Sequence, residues 1–305
     1  MNILSSRLSR ALAAGTLVLS AAGLLAANPT AALADEDGYT CAGSSLQSPG
    51  VLAGGSYSSV VVKGFCEVSA GVAVVRGDLT VRPGGVLAAA FALNDRTGHG
   101  KSELIVRDDL TVENGGVAFL GCDAQEFSCL DDPNSSSPTL SAPVEVHGDI
   151  RANQALGVVL HHGDIGGDIV MNGGGGGVSC APTGAFALFG SPAFTAIELS
   201  RIGGDVRVSR YDSCWLGLEN NHVGGDARFV NNQLKDPDAV EIQSNYIRDD
   251  LVCFKNSMVW DSGDGPSGAL FPRTAAPNTV HGDRVGQCVL SSPTRLGGPS
   301  GPGPF

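Results

Sequence analysis

A seven-residue unit recurs along the chain and limits what it can fold into. An aliphatic residue, two spacer residues and an aspartate are followed by an aliphatic–x–aliphatic step. The copies read VRGDLTV from Val75, VRDDLTV from Val106, VHGDIRA from Val146 and IGGDIVM from Ile165. They continue as IGGDVRV from Ile202, VGGDARF from Val223, IRDDLVC from Ile247 and VHGDRVG from Val280. Side chains alternate sides along a strand, so the positions three before, one after and three after the aspartate share a side. In the first copy these are Val75, Leu79 and Val81; in the fourth, Ile165, Ile169 and Met171. Such a unit cannot bury its apolar side alone, but stacked copies bury it against one another.

The aspartates are Asp78, Asp109, Asp149, Asp168, Asp205, Asp226, Asp250 and Asp283, separated by 31, 40, 19, 37, 21, 24 and 33 residues. The short separations match one coil of a parallel β-helix; the long ones hold an inserted loop or a second coil. The units are β-branched and glycine-rich, without the 3.6-residue pattern of a helical repeat. The fold class read from this is all-β: a right-handed single-stranded parallel β-helix, a solenoid of roughly eight to eleven coils. The last copy places Arg284 and Gly286 on the inward side, as suits the polar end of a stack.

Stacked aspartates about 4.8 Å apart repel by roughly 1 kcal/mol per neighbour even in water. A basic residue two positions before or after the aspartate answers this in every copy but one: Arg76, Arg107, His147 with Arg151, Arg207, Arg228, Arg248 and His281. The column reads as a structural ladder that sets register, with Asp168 alone lacking a basic neighbour in its unit. The position before the aspartate is Gly in six copies and Asp in two, which reads as a bend.

The N-terminal CAGSSLQSPGVLAGGSYSSVVVKGFCEVSAGVAVVRGDLTV and the later NTVHGDRVGQC give the chain a layout that resembles a group of exported actinobacterial repeat proteins of unknown function, within the right-handed β-helix class. The resemblance implies the fold and transfers no activity.

Residues 1–34 read as a secretory signal: Arg7 and Arg10, an apolar run from Ala11 to Ala27, then Ala32-Leu33-Ala34 before Asp35. Residues 35–70 are expected to cap the first coil. Residues 71–290 form the β-helix with loop insertions near 122–143 and 173–194, and 291–305 form a disordered tail. The formal charge is −12, and −14 without the two signal arginines. That balance argues against nucleic acid or an anionic membrane as partner, and no later stretch is apolar enough to span a bilayer. Cys41, Cys66, Cys122, Cys129, Cys180, Cys214, Cys253 and Cys288 make an even set, read as disulfides between sequence neighbours with 122–129 foremost and 41–66 holding the cap.

Chemistry-bearing motifs are sparse. TGHG at Thr97 to Gly100 lacks the preceding paired aspartates that would make it catalytic, and no HExxH, His/Cys cluster or Gly-x-Ser-x-Gly occurs. No metal, cofactor or catalytic residue is therefore assigned. His161-His162 is expected at the surface or in a turn, and Gly173 to Gly177 as a flexible exit into a loop with no Lys-Ser/Thr to bind phosphate. Phe186, Phe189 and Phe194, in that loop, are expected to cover a core. The best ligand cluster is Tyr211, Asp212, Trp215, Glu219 and His222, with Trp260 and Asp261 a coil or two later; against it stands simple burial of Trp215. Two functional readings follow. The first is a secreted, non-enzymatic, envelope-associated structural or glycan-binding protein, with cell-wall or extracellular polysaccharide as partner. The second is an extracellular polysaccharide lyase or glycoside hydrolase using acids near Trp215 and Trp260.

Overall fold

The computed structural model describes residues 38–124, 127–134, 136–236, 240–257, 259–261 and 278–289. The signal stretch and the tail expected at the two ends lie outside the described residues. The chain is all-β, and its strands pair in parallel with strands one repeat away, an arrangement consistent with a parallel β-helix. Three faces result. On face 1, Leu79–Val81, Leu110–Val112, Ile150–Asn153, Ile169–Asn172, Val206–Ser209, Ala227–Val230, Leu251–Phe254 and Arg284–Gly286 stack in order. Face 2 stacks Val86–Ala89, Val117–Leu120, Gly157–His161, Phe194–Glu198, Trp215–Glu219, Val240–Gln243 and Val259–Asp261. Face 3 stacks Glu103–Val106, Val144–Val146, Gly163–Ile165, Arg201–Ile202, His222–Val223, Tyr246–Ile247 and Thr279–Val280.

The described residues of the segment expected to cap the first coil stack on it in parallel register. Tyr39–Gly43 pairs with the start of Val60–Val75, and Gly50–Tyr57 with its later part. That long strand runs through all three faces and turns two corners without a loop, so this segment is built like the coils that follow.

Every copy of the repeat falls in register. Leu79, Leu110, Ile150, Ile169, Val206, Ala227, Leu251 and Arg284 form one column. Val75, Val106, Val146, Ile165, Ile202, Val223, Ile247 and Val280 form another. The aliphatic members up to Leu251 and Ile247 are buried, and each Val, Leu or Ile so buried contributes about 1.5–3 kcal/mol of transfer free energy. Arg284 ends its column partly buried, its guanidinium donating to the Asn278 carbonyl at 2.8 Å.

The aspartates line the corner between faces 3 and 1, and the carboxylates from Asp78 to Asp250 serve the backbone. Asp78 Oδ1 accepts from the Asp109 amide at 3.2 Å, Asp109 from Asp149 at 2.8 Å and Asp149 from Asp168 at 2.7 Å. Asp168 accepts from Asp205 at 2.9 Å, Asp205 from Asp226 at 2.7 Å, Asp226 from Asp250 at 2.9 Å and Asp250 from Asp283 at 2.8 Å. A bend in a β-helix takes amides out of the sheet ladder, and the side chain of the preceding coil replaces the missing acceptor. Repulsion along the column is thus offset first by backbone N–H groups and then by arginines.

Those arginines lie two residues after the aspartate: Arg151 bonds Asp109 and Asp149, Arg207 bonds Asp168 and Asp205, and Arg228 bonds Asp226. The gap expected at Asp168 is closed, because Arg207 Nη1 reaches it from the next coil at 3.0 Å. Arg107, two residues before its aspartate, instead meets the His147 ring at 3.0 Å. Burial would raise the Asp226 carboxyl, but the Asp250 amide, Arg228 and Arg207 outweigh it and hold it below the usual carboxylate range.

The glycine before the aspartate lies in a bend, as expected, but the bend does not require a left-handed backbone. Gly148, Gly167, Gly204, Gly225 and Gly282 do not use the left-handed backbone region. A Cβ at each would fall inside contact distance of the preceding coil's Asp Oδ1. In these five copies glycine lets the carboxylate approach closely, whereas Asp108 and Asp249 hold the position in two others, where the ladder bond still forms.

The other two corners carry ladders of their own in the C-terminal half. The Asn221 amide donates to Asn245 Oδ1 and the Asn245 amide to Asn278 Oδ1. The Asn232 amide donates to Asn256 Oδ1 and the Asn256 amide to Gln287 Oε1. The residues just before the first series, Asn220 and Ser244, are left-handed, with Leu199 and His162 at the same corner of earlier coils. Four disulfides join Cys41–Cys66, Cys122–Cys129, Cys180–Cys214 and Cys253–Cys288, the sequence-neighbour pairing. Among the described residues no helix is long and apolar enough to cross a membrane.

Candidate functional site

The outward side of face 2 departs most from repeat regularity. Insertions from its edges fold over it, and the residues they cover are apolar. Val117, Phe119, Val159, Phe194, Ala196 and Trp215 point away from the solenoid interior and form a second buried cluster with Phe127 and Phe186 from the insertions. The Cys122–Cys129 insertion is anchored by Asp131, whose carboxylate accepts from the Ala92 and Leu93 amides. Asp132 accepts from the Asn134, Thr139 and Leu140 amides, which holds that turn.

The other insertion begins with the glycine run, which is bonded rather than free. Gly173, Gly175 and Gly177 donate to the carbonyls of Ser209, Ala155 and Asp212, and Gly174 accepts from the Asp212 amide. All five have positive φ, between 69 and 104°, a path open to glycine at no steric cost. The run completes the corner before the chain leaves for the 3-10 turn Gly184–Phe189. Phe186 then lies over Gly157, where a Cβ would strike its ring. Phe186 and Phe194 cover the outer core as expected, whereas Phe189 stays half-buried.

The sequence-predicted ligand residues are dispersed. Tyr211 faces the interior and is buried; its hydroxyl donates to the Leu156 carbonyl at 2.9 Å, and burial pushes its pKa up to about 12. Trp215 is fully buried, its indole lying across Gly217, with Nε1 unpartnered among the described residues. Asp212 sits at the corner beside the glycine run. His222 is exposed on face 3, stacked on Tyr246 with ring centroids 4.5 Å apart. Glu219 points outward from the strand of Trp215, and the backbones of Trp260 and Asp261 pair with Glu241 and Ile242. Tyr211 and Trp215 therefore do not form an open sugar platform with His222. Alternation along Trp215–Glu219 puts Trp215 outward, and the insertion then buries it.

His161 is not at the surface either. It is fully buried on the outer side of face 2 and stacks on Phe127 at 4.9 Å, while His162 occupies the left-handed corner. Burial pushes the His161 imidazole down to about 3, so it is neutral. Its Nδ1 lies 3.3 Å from Glu198 Oε2 without hydrogen-bond alignment. Below it the register runs Glu198, Glu219, Gln243. Gln243 Nε2 donates to both Glu219 Oε2 and Glu241 Oε1 at 2.8 Å. Sequence reasoning singled out Glu219 but not Glu198, Glu241 or Gln243, because these lie outside the repeated unit and only coil register aligns them.

At the N-terminal end of the same face the outer layer leaves a cavity of about 130 Å³. Phe65, Phe91, Phe119, Phe127 and Phe189 contribute to its walls, and Glu67 is the one carboxylate among the described residues that line it. The register stacks Glu67, Ala88 and Phe119 on successive coils, and the small Ala88 side chain opens the space between acid and ring. Ser69 Oγ donates to Glu67 Oε1 at 3.1 Å. Burial, and then the nearby Asp95, raise the Glu67 carboxyl above its ordinary range despite that bond.

A notch on face 3 is lined by Glu145, His147, Asp164 and Gly166, where the outward column changes from histidine to glycine. Cys180, Cys214 and Asp236 are the one described group with metal-ligand spacing, but the two sulfurs are already joined to each other. In comparisons with known proteins, no family model, no curated protein and no solved structure matched this chain.

Proposed function

We propose that this chain is an exported, right-handed β-helix of roughly eight to eleven coils that acts without catalysis, as an envelope-associated structural or surface-binding protein with polysaccharide as its partner. The observation that carries this reading is the aspartate ladder. Its carboxylates from Asp78 to Asp250 each hold an amide of the next coil, and three arginines clamp it from outside. Acids used this way stiffen a long scaffold and are not poised for proton transfer. Disulfides along the stack suit an oxidising compartment, and the acidic balance suits a chain that stays dispersed outside the cell.

One observation favours the enzymatic alternative. Glu219 and Glu241 share a donor, so their carboxylates lie no farther apart than two hydrogen bonds end to end. Retaining glycosidases hold theirs about 5–5.5 Å apart. Glu241 and Trp215 are buried, however, at 1% and 0% exposure, which closes that pair to a polymer. Binding on a glycan array, measured beside reducing-sugar release and unsaturated-product absorbance, tests the two. Binding without turnover is expected. Turnover of any polysaccharide, lost on Glu219→Gln or Glu241→Gln, would replace the scaffold reading with the hydrolase or lyase.

A further inference from the structure

The cavity over Ala88 does not belong to the ladder or to the polysaccharide reading. Its volume of about 130 Å³ is close to the roughly 150 Å³ of an apolar cavity that holds one benzene molecule. Five of its twelve lining residues are phenylalanine, and an aromatic face presents negative charge density to whatever it meets. Among the described lining residues one carboxylate, Glu67, stands one coil from the Ala88 floor on the same outward column. Asp95 adds negative field at Glu67, and Asp131 adds it at Asp95. An apolar chamber with π faces, one acid and acidic surroundings selects against anions and favours a cation with a hydrocarbon body.

We infer that this cavity binds a small organic ammonium ion, its ring-sized apolar group seated over Ala88 among the phenylalanines and its charged nitrogen at the Glu67 carboxylate. The geometry assigns each part of the ligand a separate partner. The hydrocarbon replaces water against Phe65, Phe119 and Phe189. The ammonium supplies a counter-charge at Glu67, in a site where burial penalises its ionised form. No covalent step is involved.

The test uses the full oxidised chain and three probes of one shape at pH 7.5: benzylammonium, benzyl alcohol and benzoate, titrated by calorimetry. Benzylammonium is expected to bind about tenfold or more tighter than benzyl alcohol, and benzoate not measurably. Glu67→Gln should bring the ammonium down to the affinity of the alcohol and leave the alcohol unchanged. Ala88→Leu should abolish binding of both, because the leucine fills the chamber; circular dichroism melting of each variant shows that it is folded. Should Ala88→Leu fail to fold, the Glu67→Gln comparison decides alone. Equal affinity for ammonium and alcohol overturns the proposal in favour of a purely apolar site. Absence of binding by the unaltered chain, or binding that survives Ala88→Leu in a folded protein, overturns it altogether.

Discussion

The aspartate corner and the outer side of face 2 share a coil spacing and solve opposite problems. At the corner the chain must bend in each coil, which strips acceptors from the same amide each time. The remedy is one side chain at one position, repeated from Asp78 to Asp250. Outside face 2 the strands are straight and their backbone is satisfied by the sheet, so the outward residue is free to vary. Along one column it changes from Glu67 through Ala88, Phe119, Val159, Ala196 and Gly217 to Glu241. Backbone demand conserves chemistry from coil to coil, and where that demand is absent the insertions decide what each position must be.

The largest expected effect lies in the outer layer. Trp215→Ala should cost about 3–5 kcal/mol in denaturant unfolding, because a fully buried side chain with no room to collapse is removed. Hydrogen exchange should then show loss of protection around Phe186 and Phe194 while the Asp205 and Asp226 amides keep theirs. Equal loss at both places would show that the layer and the ladder are one cooperative unit.

At the corner, Asp205→Ala leaves the Asp226 amide without its acceptor and should cost about 1–3 kcal/mol. Asp205→Asn retains an oxygen for that amide and loses only the bond to Arg207, so its cost should be below about 1 kcal/mol. If the two variants were equally destabilised, the arginine would carry the ladder and the amide bond would not. Gly204→Ala places a Cβ against Asp168 Oδ1. It should fall in the same range as Asp205→Ala, about 1–3 kcal/mol.

Acid should separate the two regions further. Neutral His161 has its pKa pushed down to about 3, so the unfolded chain takes up a proton near pH 6.5 that the native chain refuses. Stability therefore falls as pH drops below 6.5, by roughly 1.5 kcal/mol at pH 5. His161→Phe should flatten that slope. The Asp226 carboxyl is depressed, so its contribution is intact above the ordinary carboxylate range and is lost as pH falls through its lowered folded value. Arg228→Ala should move this lower limb upward in pH and leave the limb above pH 5 unchanged. That is the smallest effect, since the pair is largely solvated at 44% side-chain exposure of the arginine.

The inward columns were legible because alternation is a local property. Val75, Leu79 and Val81 must share a side in any strand, and stacking adds only that the next copy does too. The sequence-neighbour disulfides were legible for a similar reason: a linear stack keeps near residues near. The asparagine series was also within reach, since Asn221, Asn245 and Asn278 repeat the separations of Asp226, Asp250 and Asp283. It was missed because amide side chains carry no charge pattern to flag them. The bend at the glycine before the aspartate was legible, whereas the close approach of the preceding carboxylate was not, since it depends on the neighbouring coil.

The sequence by itself determined the repeated unit, the inward aliphatic columns and the aspartate position, because each depends on spacing within seven residues. Only the tertiary structure decided what meets across coils. Arg207 reaches Asp168 from 39 residues away, Gln243 joins Glu219 to Glu241, and Ala88 opens a chamber between Glu67 and Phe119. The coils are separated by insertions of unequal length, so residues that touch share no constant offset. Which face an insertion covers is set by where its apolar residues find area to bury, and that area exists only after the stack has formed.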